Sequence, residues 1–148
     1  MDLEPLYRQI VEGSPDAIIL GDREGIIRLW NAGARSIFGF TAEEAIGRSM
    51  ELIIPERLRA RHWAGYSRTM ETGVSRYGAG DLLAVPATTK DGRTISIEFT
   101  IQMLKGPAGE ILGPVAIIRE VTKRYLREKE LTRRLRELEG TGPGPSSS

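Results

Sequence analysis

The sequence predicts an α+β domain: a five-stranded antiparallel sheet with short helices and one longer helix packed on one face, plus flanking helices at both ends. Three observations carry this. Ile95, Ile97, Phe99, Ile101 and Met103 alternate with Thr94, Ser96, Glu98, Thr100 and Gln102, a period of two that fits a half-buried antiparallel strand. Helix-start signals at Asn31, Thr41 and Pro55 cluster between two strand-rich stretches. Strands at either end with the helices grouped between them build an α+β unit.

The opening residues Leu3, Leu6, Tyr7, Ile10 and Val11 lie at helical spacing and share one apolar stripe. Ser14-Pro15-Asp16 stops that helix. Ala17 to Leu20 and Ile26 to Trp30 read as a strand pair around the turn cluster Asp22-Arg23-Glu24-Gly25. Asn31 caps a short helix through Ile37, and Gly39 supplies its left-handed exit. Thr41 and Glu44 form a capping box, in which each side chain satisfies the other's orphan amide. Ser49 to Ile54 is a further short helical piece. Pro55 suits the first position of a helix that runs to about Thr72 and leaves through Gly73. Lys90-Asp91-Gly92-Arg93 is a hairpin turn ahead of the alternating strand. The final strand, Leu112 to Val121, is expected to break early at Gly113-Pro114. In the charged segment from Arg119 to Glu139, Leu131, Leu135 and Leu138 are spaced four and three. That is one coiled-coil heptad seam, or the sparse apolar positions of a solvated helix.

Composition narrows the function. Lys plus Arg total 21 against 20 Asp plus Glu, a balance that does not suit binding to nucleic acid by phosphate neutralisation. The chain has no cysteine, which excludes disulfide scaffolds, thiolate metal sites, cysteine nucleophiles and chromophores held as cysteine adducts. No apolar run is long enough to span a bilayer, and no basic start precedes an apolar stretch at the N-terminus. A cytoplasmic, non-membrane protein is expected. An enzyme is not expected: there is no P-loop and no Gly-x-Ser-x-Gly elbow. Gly78-Ala79-Gly80-Asp81 lacks the third glycine of a dinucleotide fingerprint and precedes a strand.

In this order, a set of motifs resembles the PAS sensor domain over roughly Leu6 to Arg124. They are Ser14-Pro15-Asp16-Ala17-Ile18, Ile27-Arg28-Leu29-Trp30-Asn31, Ile37-Phe38-Gly39-Phe40-Thr41, Lys90-Asp91-Gly92-Arg93 and Glu98-Phe99-Thr100-Ile101. Arg119-Glu120-Val121-Thr122-Lys123-Arg124 is similar to the signature at which PAS domains hand over to a signalling helix. The resemblance implies a PAS domain over 14–122, preceded by an amphipathic helix over 1–13. A signalling or coiled-coil helix over 123–139 and a disordered tail or expression remnant over 140–148 follow. It implies no particular ligand, because PAS domains bind haem, flavins, small carboxylates or nothing.

His62 is the one histidine. Leu58, His62, Tyr66 and Met70 recur every four residues, so they form one stripe along the long helix. A stripe packed on a sheet turns His62 toward the pocket. There it is either an ordinary packed histidine or an imidazole ligand for iron. Arg59-Ala60-Arg61-His62 with Tyr66 resembles the helix carrying the proximal histidine in oxygen-sensing haem PAS kinases. That resemblance implies haem b on His62, with Phe99 and Ile101 covering the opposite haem face and Leu83 and Ile117 on the adjoining strands. Arg57, Arg59, Arg61 and Arg68 are candidate partners for the propionates. The haem kinases place an arginine after the Gly-x-Gly of the next strand; here Asp81 follows Gly80. A deprotonated carboxylate cannot donate a hydrogen bond to bound oxygen. The sensed input is therefore left as a diatomic gas or a redox change.

The rival reading is a PAS module for dimerisation and interaction, without haem or with another ligand such as a flavin. Its contact surfaces would be the flanking helices. On either reading a homodimer through those helices and a downstream signalling domain or protein are expected, and the haem reading relays its input through the C-terminal helix.

Overall fold

The alternation in the longest predicted strand organises the sheet around it. The computed structural model describes residues 1–74 and 82–141. Five strands, β1 Ala17–Gly21, β2 Ile27–Trp30, β3 Leu83–Thr88, β4 Thr94–Lys105 and β5 Ile111–Glu120, form one sheet in the order β2-β1-β5-β4-β3. Every pairing is antiparallel. The helices are α1 Glu4–Gly13, α2 Ala32–Phe38, α3 Ala42–Ala45, α4 Arg59–Thr72 and α5 Thr122–Thr141, with 3-10 turns at Met50–Ile53 and Glu56–Leu58.

Register decides which side chains form the core. Ile95, Ile97, Phe99 and Ile101 of β4 share a face with Ala116 and Ile118 of β5 and with Ala17 and Ile19 of β1. Ala34 and Phe38 of α2, Ala45 of α3, Ile27 and Trp30 close over that face, all of them buried. Burying an aromatic such as Phe38 contributes roughly 1.5–3 kcal/mol.

The junctions are built from local hydrogen bonds. Asn31 is buried, and its carbonyl oxygen accepts from Ile18 N at 2.8 Å and Ala34 N at 3.0 Å. Its amide nitrogen donates to the carbonyls of Val11 and Asp16. One side chain therefore caps α2 and ties the end of α1 to the start of β1. The Thr41–Glu44 capping box forms as expected. At the far end, Ser96 N donates to the Thr122 hydroxyl and Arg124 pairs with Glu98, which seats α5 on the strand that carries Phe99.

Two expectations are corrected. The helix beginning at Pro55 is split: Glu56–Leu58 is a 3-10 turn, and the α-helix starts at Arg59. Arg59 stitches the break, donating to the carbonyls of Ile54 and Glu51. The expected break at Gly113-Pro114 is absent, and both residues lie inside β5. β5 pairs with β1 only from Val115 onward, so at Pro114 the strand has no β1 neighbour and is an edge on that side, where a proline is tolerated. Gly113 has φ +152 and its Cα abuts the Gly21 carbonyl, which a Cβ would overlap.

Candidate functional site

The site is built on α4, whose sequence gives it little reason to bury itself. It has no side-chain N-cap and Met70 is its one buried residue. It ends at Gly73, whose left-handed conformation (φ +73) closes the helix. Polar attachments hold it instead. Tyr66 Oη donates a short hydrogen bond to the Asp22 carbonyl, and the Trp63 ring covers Gly25, where a Cβ would collide with it. Trp63 Nε1 donates to Glu51 Oε1 at 2.7 Å. The β1–β2 turn is itself rigid, because the Asp22 carboxylate accepts from the amides of Glu24 and Ile26 and from Arg28 Nε.

His62 stands among these groups. Its ring lies 4.7 Å from that of Trp63 and 5.6 Å from that of Tyr66, centroid to centroid. Its Nδ1 is buried and has no hydrogen-bond partner among the described residues. Burial lowers the His62 pKa below its ordinary 6.5, while the nearby Glu51 carboxylate acts the other way. The imidazole is therefore neutral near pH 7, with a lone pair available. Burial raises the Tyr66 phenol above its usual 10, with Asp22 and Glu24 adding to the effect, so it remains a neutral donor.

The expected lining residues fall into two groups. Tyr66 and Met70 lie with His62 on α4, and Leu58 ends the 3-10 turn just before it. On the sheet, Leu83 pairs with Phe99, Phe99 with Ile118, and Ile101 with Ala116, which puts Leu83, Phe99 and Ile101 on the inner face. Ile95 and Ile97 on that face are buried, yet Phe99, Ile101 and Met103 further along β4 are only half-buried. The tight core gives way there to a partly uncovered apolar surface. Ile117 does not belong to it. It pairs with Thr100, lies on the outer face and is 46% exposed, because it alternates with the inward Ala116 and Ile118. The Gly78-Ala79-Gly80-Asp81 stretch lies outside the described residues.

Among the candidate arginines, Arg59 is engaged with backbone carbonyls, whereas Arg57, Arg61 and Arg68 are exposed. A neutral, half-buried imidazole whose Nδ1 has no partner among the described residues, with exposed arginines on the same stretch of chain, is the donor set a haem would require of this helix. Sequence reasoning missed Glu51, Asp22 and Arg23. Asp22 and Arg23 read in the sequence only as parts of a turn, and nothing in the spacing ties them or Glu51 to His62.

The order β2-β1-β5-β4-β3, helices on one face and an exit helix after the last strand define an α+β domain with a single five-stranded antiparallel sheet. Residues 11–126 match a family model described as the PAS fold. The chain belongs to the PAS family and is a PAS sensory domain of the kind found in signalling proteins. It is 32% identical over 130 residues to Sensor protein FixL of Bradyrhizobium diazoefficiens and 32% identical over 131 residues to an uncharacterized protein of Azorhizobium caulinodans. It is 25% identical over 130 residues to the signal transduction histidine-protein kinase AtoS of Escherichia coli. These alignments cover 86%, 88% and 88% of this chain but 25%, 17% and 19% of those proteins, so the chain spans a quarter or less of their length. Among solved structures, the PAS domain of a Colwellia psychrerythraea protein superposes with a TM-score of 0.69 at 22% identity, over 82% of this chain and 99% of that one. An RNA-binding light-oxygen-voltage receptor gives 0.69 at 19% identity, over 93% and 38%. Both likenesses are of fold. Among the described residues no helix is long and apolar enough to cross a membrane.

Proposed function

We propose that this PAS domain binds haem b with His62 as the proximal iron ligand, responds to a diatomic gas or a redox change, and relays the response through α5. The observation that carries this is the His62 imidazole: half-buried, held neutral, and with Nδ1 unpartnered among the described residues. Leaving a buried polar atom unsatisfied costs about 1–3 kcal/mol, so such a group calls for a partner. The resemblance around His62 supports the same reading.

When bound, haem would supply an iron centre that takes a gas ligand or changes oxidation state. The chain's own residues do the rest. His62 offers a lone pair from a helix whose position the β1–β2 turn fixes. Leu58, Met70, Leu83, Phe99 and Ile101 exclude water from an apolar ring system, and exposed Arg57, Arg61 and Arg68 are cations for its carboxylates. Phe99 and Glu98 are neighbours on opposite faces of β4, and Glu98 pairs with Arg124 of α5. A displacement of β4 at the inner face therefore reaches the start of α5 within one residue.

Absorption spectra of the chain and of His62→Ala, each titrated with hemin, test this. A Soret band in the parent that is lost or shifted in the variant is expected; a parent that stays without one ends the haem reading. The second reading, a dimerisation module without haem or with a ligand such as flavin, is favoured by exposed apolar residues on both flanking helices. Leu3 at the start of α1, Tyr7 and Ile10 on it, and Leu131, Leu135 and Leu138 on α5 are all exposed. A concentration-dependent dimer in sedimentation, together with a colourless parent, would make it lead.

A further inference from the structure

The C-terminal half of α4 is held by a residue that belongs to neither α4 nor the sheet's inner face. Arg23, in the β1–β2 turn, donates from one guanidinium nitrogen to the Met70 carbonyl at 3.1 Å and from the other to the Ile111 carbonyl at 3.2 Å. These acceptors lie on separate elements. Met70 is in the last turn of α4, and Ile111 is the first residue of β5.

Three observations show why this joint matters. The last turn of α4 carries no basic residue of its own, so its terminal carbonyls lack the cation that favours a helix C-terminus. Arg23 supplies that cation from across the fold. At the same corner Gly73 sits against the Ile111 side chain so closely that a Cβ would displace it. Since Met70 is the one residue α4 buries, the helix has little apolar packing to fix its position. A weakly buried element is one whose placement a few polar bonds can decide.

We infer that Arg23 is a positioning residue: it clamps the C-terminal half of α4 to the start of β5 and thereby sets where His62 stands relative to the inner face. The same guanidinium makes the end of α4 and the head of β5 move together, and β5 runs on into α5. This contact to the output strand does not pass through Phe99 or the half-buried inner face of β4. The clamp itself stands on geometry alone; its effect on a ligand rests on the haem reading.

The test uses the whole chain with Arg23→Gln and Arg23→Lys. Amide hydrogen exchange without hemin reads the clamp, and hemin titration reads its consequence. Arg23→Gln is expected to keep the parent's circular dichroism, to speed exchange across residues 67–72, to weaken hemin binding roughly three- to tenfold and to shift the Soret maximum. Arg23→Lys restores one donor and one charge and is expected to recover part of each change. Unaltered α4 exchange in Arg23→Gln overturns the clamp. Faster exchange with unchanged hemin affinity and spectrum overturns the positioning of His62. A parent that binds no hemin refutes the haem reading, and the exchange data then decide the clamp by themselves.

Discussion

Two helices on the same side of the sheet are built in opposite ways. α2 has seven residues and buries Gly33, Ala34 and Phe38; it is capped by Asn31 and closed by Gly39 (φ +88). α4 has twice the length, fourteen residues, and buries Met70 alone. Apolar burial and a saturated amide fix α2, whereas single polar contacts from Asp22, Glu51 and Arg23 position α4. The contrast separates scaffold from site. A sensor needs one element that does not move and one whose position a ligand can change at small cost.

The sharpest way to break the comparison is at Asn31. Asn31→Ala leaves the amides of Ile18 and Ala34 and the carbonyls of Val11 and Asp16 without their partner in a buried setting. A loss of about 2–4 kcal/mol in urea unfolding is expected. A loss below about 1 kcal/mol would mean that α2 is not the fixed element described. On α4 the corresponding change is smaller. Tyr66→Phe removes one hydrogen bond to the Asp22 carbonyl and is expected to cost about 0.5–1.5 kcal/mol. Amide exchange should rise in α4 while α2 and β4 stay protected. Equal acceleration in both helices would erase the distinction.

The smallest expected effect lies beside α2, where Glu44 of the capping box meets Lys90 at the β3–β4 turn, Oε2 to Nζ 2.6 Å. The Lys90 ammonium and the Thr41 amide hold the Glu44 carboxyl down from 4.5 to about 2. A depressed folded-state pKa stabilises above the unfolded value and is lost as pH falls through the folded one. The pair therefore contributes above about pH 4.5 and fades toward pH 2. Glu44→Gln is expected to be slightly less stable than the parent at pH 7, with the gap closing as the pH falls through that window. A gap that persists unchanged at the acid end would show that the carboxylate charge is not what matters. Because the pair is exposed, high salt should also narrow it.

Much of the fold was legible because the forces that write it are local. The Asn31 cap, the Thr41–Glu44 box, the Gly39 and Gly73 exits and the alternation from Ile95 to Met103 each depend on residues within a few positions of one another. The stripe bearing His62 was legible for the same reason, since helical periodicity alone sets it. The α4 start was misplaced because Arg59 binds the carbonyls of Glu51 and Ile54, a contact that helix-start signals do not encode. The Gly113-Pro114 break was misplaced because its tolerance depends on β1 pairing only from Val115 onward.

The sequence by itself determined the elements, their caps and the positions that could be apolar. Tertiary structure alone decided their partners. It turned Ile117 outward while Phe99 and Ile101 turned in, spread the amide of Asn31 across three elements, and brought Glu51, Asp22 and Arg23 to the helix of His62. The reason is physical. Backbone propensity and capping act within one or two turns, whereas strand register and buried hydrogen bonds join residues far apart in the chain. Only the closed fold selects those partners.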